Sequence, residues 1–385
     1  MEYASFVRPE IAEMEAYTPI VPFEVLSARL GRTPEEIVKL DANENPYGPS
    51  PKALEALRNG RFFHIYPDPE SNQLRDALSD YVQMPKERLL TGMGADELID
   101  LVLRVVLSPD DVVIDCPPSF GMYPFSTAVN SGQYVAVWRN EDFSLNVPAI
   151  EQAVAQHPTA KILFLCSPNN PDGSTIPDAH LRRLLQLPLL VVLDEAYVDF
   201  DFGHREHREA REKTSFSSVT SVANTSSRIH WTLEYDNLAV LRTFSKLAGL
   251  AGLRVGYGAF PEWLLPHLWK IKQPYNINVA ASLAALASLE DQVWLQEKVQ
   301  LLVTERERLF TELGTISYLN PFPSRSNFIL CRVIGRDARQ LKLDLEQAGI
   351  LVRYFNKPGL DNCIRISAGR PEETDKLIQT LRNLR

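Results

Sequence analysis

The sequence predicts an α/β fold in which helices cover both faces of a mostly parallel sheet, followed by a smaller α+β domain. The first observation is a set of short, almost continuous apolar runs, such as Ala160–Cys166, which are typical of fully buried strands. The second is the alternation of these runs with helical segments, which is typical of β-α-β units. We therefore expect an N-terminal arm (1–38), a large domain (39–275) and a small C-terminal domain (276–385).

The composition is that of a globular protein and limits the kinds of partner. Of the 385 residues, 45% are hydrophobic and 23% are charged, and the chain is long enough to form two domains. The net charge is -9, from 40 basic and 49 acidic residues. Non-specific binding to nucleic acid or to an anionic membrane is therefore not expected, and an anionic ligand needs a local cluster of positive charge.

The N-terminal residues carry several charges and no apolar segment, so they resemble neither a signal peptide nor a transit peptide. The longest apolar runs, such as Leu187–Leu193, are too short to cross a membrane. We expect a cytoplasmic protein. Its four widely spaced cysteines form no CxxC pair and predict buried free thiols, Cys116, Cys166, Cys331 and Cys363.

Helix and turn signals organise the first hundred residues. A helix near Glu24–Leu30 should end at Gly31, and Ser50 should cap a helix that has a proline at its first position. Another helix is expected at about Asn72–Tyr81. The run Leu89–Glu97 predicts a strand, a glycine turn and a helix start that could bind a phosphate. It does not match the dinucleotide fingerprint, because its third glycine position is Glu97.

The segment from Leu238 to Phe260 carries the strongest chemical signal. Two apolar runs enclose Thr243, Ser245, Lys246 and Arg254 in glycine-rich surroundings. Burial disfavours an ammonium, so the pKa of such a lysine falls and its amine becomes a usable nucleophile. The hydroxyls and the guanidinium could bind an anion. The simpler alternative, an ordinary strand and turn with a surface-reaching lysine, explains a single lysine better than this combination.

Polar residues also follow the other predicted strands. Asn170 follows Ala160–Cys166, and Asp194 and Tyr197 follow Pro188–Leu193. A third strand is expected at Val112–Cys116. Because parallel strands end at one edge of the sheet, these side chains should meet the lysine there.

The rest of the chain adds an insertion and the second domain. Residues 203–228 form a charged and then Ser/Thr-rich tract, for which a solvated, mobile insertion is expected. His204 and His207 lack a third metal ligand, so no metal site is predicted. Helices should follow at about Pro261–Lys272 and Ala280–Leu313. The predicted C-terminal elements are Asn327–Val333, Asp337–Ala348, Ile350–Phe355, Ile364–Ser367 and Glu372–Arg385.

Taken together, these motifs resemble the fold-type I pyridoxal-phosphate aminotransferases, and among them the histidinol-phosphate aminotransferases of the cyanobacterial and plastid branch. The matching motifs are spread over nearly the whole chain. They are Asp41–Pro46, Tyr66-Pro67, Gly94–Glu97, Cys116–Pro118, Gly121–Tyr123, Ser167–Pro171, Asp194–Tyr197, Arg242–Arg254, Asn327–Leu330, Arg353 and Arg365. One departure is Asp172, in a turn where most relatives carry threonine.

The resemblance implies pyridoxal 5'-phosphate as cofactor and assigns residues to it. Lys246 would be the catalytic residue that binds the cofactor covalently and moves the substrate proton. Asp194 would face the pyridine nitrogen, Tyr197 and Asn170 the phenolic oxygen, and Phe120 the ring face. The phosphate would be bound by Ala95, Asp96, Thr243, Ser245, Arg254 and, from the neighbouring subunit of a homodimer, Tyr66.

Each of these residues also has a structural alternative. Asp194 could be a helix cap and Asn170 a turn former. Phe120 and Tyr197 could be packing residues, and Tyr66 a turn aromatic next to a proline.

The resemblance also implies a substrate and its contacts. L-histidinol phosphate and 2-oxoglutarate would be converted to imidazole acetol phosphate and glutamate, in histidine biosynthesis. The expected substrate contacts are Tyr17, Asn43, Asn327, Arg353 and Arg365. The arginines could instead form ordinary surface ion pairs, which contribute little. An aromatic-amino-acid aminotransferase and a phosphothreonine-type decarboxylase remain alternatives. A binding protein without catalysis is disfavoured, because the lysine and its partners are all present.

Overall fold

The computed structural model describes residues 6–14, 21–201 and 226–384. Its larger sheet has seven strands in the order β2-β8-β7-β6-β5-β3-β4. In the run β7-β6-β5-β3-β4 each strand is parallel to the strands beside it. Strand β8 is antiparallel to both β7 and β2. The predicted mostly parallel sheet is therefore confirmed. Its strands are β2 Leu89–Gly92, β3 Val112–Asp115, β4 Gln133–Ala136, β5 Ala160–Cys166, β6 Leu190–Asp194, β7 Leu238–Thr243 and β8 Gly256–Ala259.

Both faces of this sheet are buried, as the continuous apolar runs predict. Successive side chains of a strand point to opposite faces, and in β5 Leu163 and Leu165 join one hydrophobic cluster while Ile162 and Phe164 join another. Helices cover the two faces. Those of the larger domain are α3 Pro51–Arg58, α4 Asn72–Val82, α5 Gly94–Val106, α6 Met122–Val129, α7 Val147–Gln156, α8 Asp178–Leu184, α9 Phe244–Leu247, α10 Leu265–Ile271 and α11 Val279–Leu289.

The second sheet has five strands in the order β1-β11-β12-β10-β9. Its strands are β1 Val38–Leu40, β9 Leu319–Pro321, β10 Phe328–Val333, β11 Ile350–Tyr354 and β12 Cys363–Ser367. The remaining helices are α1 Pro9–Ala12, α2 Phe23–Leu30, α12 Gln292–Gly314, α13 Ala338–Gln347 and α14 Pro371–Asn383.

The packing differs from the predicted domain boundaries at two places. Strand β1 pairs in parallel with β11, from Val38↔Ile350 to Leu40↔Val352, so 38–40 belong to the second sheet. Helix α11 packs against α3 and α4, and its alanines lie in the core of the larger domain. The predicted single helical stretch after 280 is two helices, α11 and α12. The first half of α12 joins the same hydrophobic cluster as α11, while α12 also contacts β9, β10 and α14 of the second domain.

Local signals were accurate at several helix ends. Ser50 accepts a hydrogen bond from the backbone N–H of Ala53 at 3.2 Å, as expected of an N-cap. Gly31 ends α2 in the left-handed conformation, with φ +61°. Strands β4 and β9 were not predicted. Strand β4 has the sequence Gln-Tyr-Val-Ala, and its side chains are half-buried or exposed because it lies at the edge of the sheet.

The predicted insertion, 203–228, lies mostly outside the described residues. Its last three residues belong to the packed structure, contrary to the prediction. Ser226 donates to the carbonyl of Asp201 at 2.9 Å, and the N–H of Arg228 donates to the carboxylate of Glu195 at 2.6 Å. Ser226, the first residue described after the gap, therefore lies within hydrogen-bonding distance of Asp201, the last residue described before it.

The described residues include all four cysteines and most of the histidines and acidic residues. All four cysteines are buried and unpaired, which agrees with the prediction. Within 6–14, 21–201 and 226–384, no cluster of three or more His, Cys, Asp or Glu side chains could hold a metal ion. His204 and His207 lie outside these ranges. None of the described helices is long and apolar enough to cross a membrane.

Candidate active site

Two adjoining cavities open at the carboxyl ends of the parallel strands. The inner cavity, of about 360 Å³, lies against the ends of β5, β6 and β7. The outer cavity, of about 480 Å³, extends toward the second sheet. Both are lined by Ala42, Phe120, Asn170, Tyr197 and Lys246. The polar residues that follow β5, β6 and β7 meet here because the ends of these strands are level. Cys166 pairs with Asp194, and Asp194 pairs with Leu241.

One end of the inner cavity, here called the cradle, gathers hydrogen-bond donors of the kind that hold an anion. Ala95 and Asp96 stand at the start of α5, where the first backbone N–H groups have no partner within the helix. Arg254 donates to the Asp96 carboxylate at 2.8 Å. A side chain at Gly94 would place a Cβ only 2.7 Å from the Arg254 guanidinium, and φ there is +74°. Glycine is thus required for the helix start and the guanidinium to meet.

Thr243 and Ser245 complete the cradle. The Thr243 hydroxyl accepts the N–H of Ser245 at 3.1 Å and donates to its Oγ at 2.9 Å. Thr243 therefore fixes the Ser245 hydroxyl, which lines the cavity beside Arg254.

Lys246 lies between this cradle and the outer cavity. Its Nζ donates to the carbonyl of Ala42 at 3.2 Å. Burial lowers the pKa of the Lys246 ammonium to about 8, and the positive charge of Arg365 acts in the same direction. A substantial part of this amine is therefore neutral near pH 8, as predicted from its apolar surroundings.

Asp194 lies at the end of β6 and is 4% exposed. It accepts hydrogen bonds from the Tyr123 hydroxyl at 2.8 Å and the Ala196 N–H at 2.9 Å. Burial raises its pKa to about 6, while these two bonds act in the opposite direction. Tyr123 was not predicted as a site residue. It lies on α6 and stacks on Phe164 with ring centroids 4.6 Å apart, so in sequence it resembles a packing residue.

Tyr197 and Asn170 line both cavities, and Asn43 lines the outer one. The Asn43 side-chain amide donates to the Tyr197 oxygen at 3.1 Å. The Asn170 carbonyl oxygen accepts from the Arg365 guanidinium, which also donates to the Asp41 carbonyl at 3.0 Å. The Tyr197 hydrogen and the Asn170 amide nitrogen therefore remain as donors toward a ligand.

The two predicted arginines of the second domain both line the outer cavity. Arg353 and Arg365 are register partners on β11 and β12. Lys357, which follows β11, adds a third cation that sequence reasoning did not select. Its only sequence signal is its position four residues after Arg353. Aromatic side chains form much of the remaining wall, namely Phe120, Tyr134, Trp138 and Phe355.

Two of the predicted contacts do not line these cavities. Asn327 is 1% exposed and lines neither cavity, because its amide donates to the Asn43 carbonyl at 3.0 Å. It thus supports Asn43 from behind, and its contact with substrate stays a prediction. Tyr66 is 79% exposed and stacks on Tyr275, away from both cavities of its own chain. Tyr17 lies outside the described residues.

Comparisons with known proteins give consistent matches over nearly the whole chain. The family model "Aminotransferase class I and II" matches residues 35–381. Histidinol-phosphate aminotransferase 1, chloroplastic, of Arabidopsis thaliana is 52% identical over 379 residues, covering 98% of this chain and 85% of that protein. The histidinol-phosphate aminotransferase of Roseiflexus castenholzii is 48% identical, covering 98% of each chain. The crystal structure of histidinol-phosphate aminotransferase from Sinorhizobium meliloti in complex with pyridoxal-5'-phosphate superposes with a TM-score of 0.85 at 28% identity, covering 99% of each chain.

Proposed function

We propose that this chain, which belongs to the class I and II aminotransferases and among them to the histidinol-phosphate aminotransferases, transfers the amino group of L-histidinol phosphate to 2-oxoglutarate. The products are imidazole acetol phosphate and glutamate, in histidine biosynthesis. The observation that carries this proposal is the position of Lys246, between an anion cradle on one side and two arginines on the other.

The inner cavity has the donors and acceptors that pyridoxal phosphate requires. Its phosphate fits the cradle formed by the start of α5, Ser245 and Arg254, and its pyridine nitrogen fits the buried carboxylate of Asp194. Phe120 supplies an aromatic face for the ring, and Lys246 supplies the amine. When bound, this cofactor accepts the electrons left on the substrate carbon as its proton departs.

The residues of the chain then have separate tasks. Lys246 has a lowered pKa, so its amine can take a proton from the substrate carbon and return it. Asn43 and Arg365 occupy acceptor atoms of Tyr197 and Asn170, so the hydrogens that these two side chains retain would hold the phenolic oxygen of the cofactor. Asp194 is buried at the end of β6, and its carboxylate would hold the ring nitrogen of the cofactor and favour the protonated form of that nitrogen.

The outer cavity supplies the charge for two anionic substrates in turn. Arg365 is buried against Asn170 and Asp41, close to the lysine, and suits a carboxylate or other anion near the reacting carbon. Arg353, with Lys357 beside it, suits the more distant phosphate of histidinol phosphate or side-chain carboxylate of 2-oxoglutarate.

The experiment that tests this function is a comparison of amino donors with the wild-type enzyme. A charge-assisted contact to a phosphate contributes about 1.5–3 kcal/mol, or about ten- to a hundredfold. We therefore expect kcat/KM for histidinol phosphate to exceed those for phenylalanine and tyrosine by at least about tenfold. A preference for the aromatic amino acids would replace the substrate assignment and leave the cofactor assignment intact. Release of carbon dioxide from phosphothreonine would indicate the decarboxylase alternative.

Substitution of Arg353 tests the contact with the distant anion separately from the contacts near the reacting carbon. Arg353→Ala should lower kcat/KM for histidinol phosphate by at least about tenfold. Arg365→Ala should impair both half-reactions, because it also frees Asn170 and the Asp41 carbonyl. The exposed Arg339→Ala, on α13, is the charge-matched control and should behave as wild type. Equal rates for Arg353→Ala and Arg339→Ala would show that Arg353 does not contact the substrate.

We also propose a homodimer, in which Tyr66 contacts the phosphate site of the neighbouring subunit. Four large side chains that precede Pro67 are exposed although they are apolar or aromatic. They are Phe62 at 64%, Phe63 at 57%, Ile65 at 53% and Tyr66 at 79%. An exposed patch of this kind is typical of a protein interface.

The cytoplasmic location stays a prediction, which imaging of the tagged protein in its host cell would test.

A shared site can be tested by mixing two inactive variants. Subunits with Tyr66→Phe and subunits with Lys246→Ala should form hybrid dimers in which one of the two sites carries neither substitution. Activity should then rise toward about a quarter of the wild-type value after exchange is complete. Mixing Lys246→Ala subunits with themselves is the control. No recovery, with hybrid dimers demonstrated by mass spectrometry, would place Tyr66 outside the site.

A further inference from the structure

A buried carboxylate lies in the wall of the outer cavity, in a position that the reaction as described does not use. Asp115 is the last residue of β3 and is 1% exposed, and it lines the cavity together with Ser119 and Tyr134. Tyr134 lies on β4, the edge strand that pairs with β3. Since β5 separates β3 from β6, Asp115 stands about 10 Å along the sheet edge from Asp194.

The hydrogen bonds among Asp115, Ser119 and Tyr134 leave these side chains able to accept further hydrogen bonds but not to donate them. The Ser119 hydroxyl donates to Asp115 Oδ2 at 2.6 Å, and the Tyr134 hydroxyl donates to the same oxygen at 2.9 Å. The N–H of Cys116 donates to Oδ1 at 2.7 Å. Because each hydroxyl has a single hydrogen and directs it to the carboxylate, the remaining lone pairs of all three side chains are acceptors.

This acceptor group is matched by the rest of the cavity. Phe120 and Trp138 supply flat apolar walls, and the cations of Arg353, Lys357 and Arg365 are on β11, β12 and the loop between them. The cavity therefore combines an anion-binding side with a wall that accepts hydrogen bonds from a flat ring. A phenyl ring has no hydrogen to donate there, and a carboxylate would be repelled.

We propose that Asp115, with Ser119 and Tyr134, forms the subsite that accepts the imidazole N–H of the amino donor and so selects histidinol phosphate over phenylalanine. This inference rests on the proposed function and names a specificity-determining group for it. Tyrosine, whose hydroxyl can donate a hydrogen bond, should be an intermediate substrate.

A site that hydrogen-bonds a substrate discriminates strongly against analogues that lack the donor, because its buried polar groups are then left unpaired. Removing the carboxylate should therefore affect donors unequally. A purely structural role, in which Asp115 holds the turn at 116–119, would instead lower the rates with every donor by the same factor.

The test uses the cofactor-loaded enzyme with Asp115→Asn and, separately, Tyr134→Phe. Single-turnover half-reactions with histidinol phosphate, tyrosine and phenylalanine give kcat/KM for each donor, including slow ones. For both variants we expect about a ten- to hundredfold loss with histidinol phosphate and less than about a threefold change with phenylalanine. Tyr318→Phe, which removes a hydroxyl bonded to the Leu381 carbonyl in the second domain, is the matched control.

The outcomes are distinct. Selective loss with histidinol phosphate, with unchanged cofactor absorbance, supports the subsite. Equal losses with all three donors, or no loss, overturn it. Should Asp115→Asn fail to fold, Tyr134→Phe decides alone, since it keeps the carboxylate in place. Failure of the proposed function itself would be seen beforehand, as a wild-type preference for an aromatic amino acid.

Discussion

Replacing Lys246 with alanine should lower the rate of amino transfer by about 10⁴, the upper end of what a positioned acid-base group contributes. Two tasks are lost together, the covalent attachment of the cofactor and the movement of the substrate proton. The purified wild-type protein should be yellow, and borohydride should fix the cofactor to a peptide that contains Lys246. The variant should lack this adduct although the cradle of Ser245 and Arg254 is intact.

The chain contains a demanding internal control for this experiment. Lys272 is also a lysine whose pKa burial lowers, and it is 8% exposed. It donates to the carbonyls of Pro69 and Gln273 and lines neither cavity. A labelled peptide that contains Lys272 would mean that a lowered pKa alone selects the lysine, and the assigned mechanism would be wrong. For Lys246 the yield of trapping should rise with pH up to about 8 and then level off, because its pKa is about 8.

The second large effect is expected at Asp194. Asp194→Asn keeps the size of the side chain but removes the charge that faces the ring nitrogen. Loss of one partner of a buried charge pair costs about 3–5 kcal/mol, so kcat should fall by about 10² to 10⁴. Rapid-scan measurements of the half-reaction with histidinol phosphate give this rate directly.

The same substitution should not destabilise the cofactor-free protein. Burial raises the pKa of Asp194 from 3.8 to about 6, so the folded state binds a proton more readily than the unfolded state. The ionised carboxylate therefore destabilises the fold above pH 6 by about 3 kcal/mol, and this penalty disappears as the pH falls from 6 toward 3.8.

Thermal unfolding of the cofactor-free proteins tests whether the ionised Asp194 carboxylate destabilises the fold. At pH 8 Asp194→Asn should melt a few degrees above wild type, and the difference should vanish near pH 4. Tyr123→Phe is the control, because it retains the charge and removes only the hydrogen bond to it. A lower melting temperature for Asp194→Asn at pH 8 would mean that the carboxylate stabilises the fold, and a role in holding the cofactor would lose its physical argument.

Much of the larger sheet could be predicted because its strands carry their own signal. A strand buried on both faces must be apolar along its length, and β5, β6 and β7 are almost continuously apolar. The carboxyl ends of such strands meet at one edge, so Asn170, Asp194 and Lys246 could be brought together from their positions in the chain alone. Motif chemistry added the cradle, since a lysine beside hydroxyls, glycines and an arginine has few structural explanations.

Other parts of the site were decided by contacts that no local pattern contains. Strand β1 is only three residues long and joins the second sheet by pairing with β11, which lies far away in sequence. Edge strand β4 is only four residues long and was not predicted, yet it brings Tyr134 to Asp115.

The fold class, the reactive lysine and the edge of the sheet at which it lies all follow from the amino-acid sequence, because apolar runs mark the buried strands and parallel strands end at the same edge. Which polar atoms remain available to a ligand depends on contacts between distant segments. Asn327 donates to the carbonyl of Asn43, and Tyr123, which resembles a packing residue, donates to Asp194. Hydrogen-bond partners of this kind come from distant segments, and only packing fixes their distance and direction.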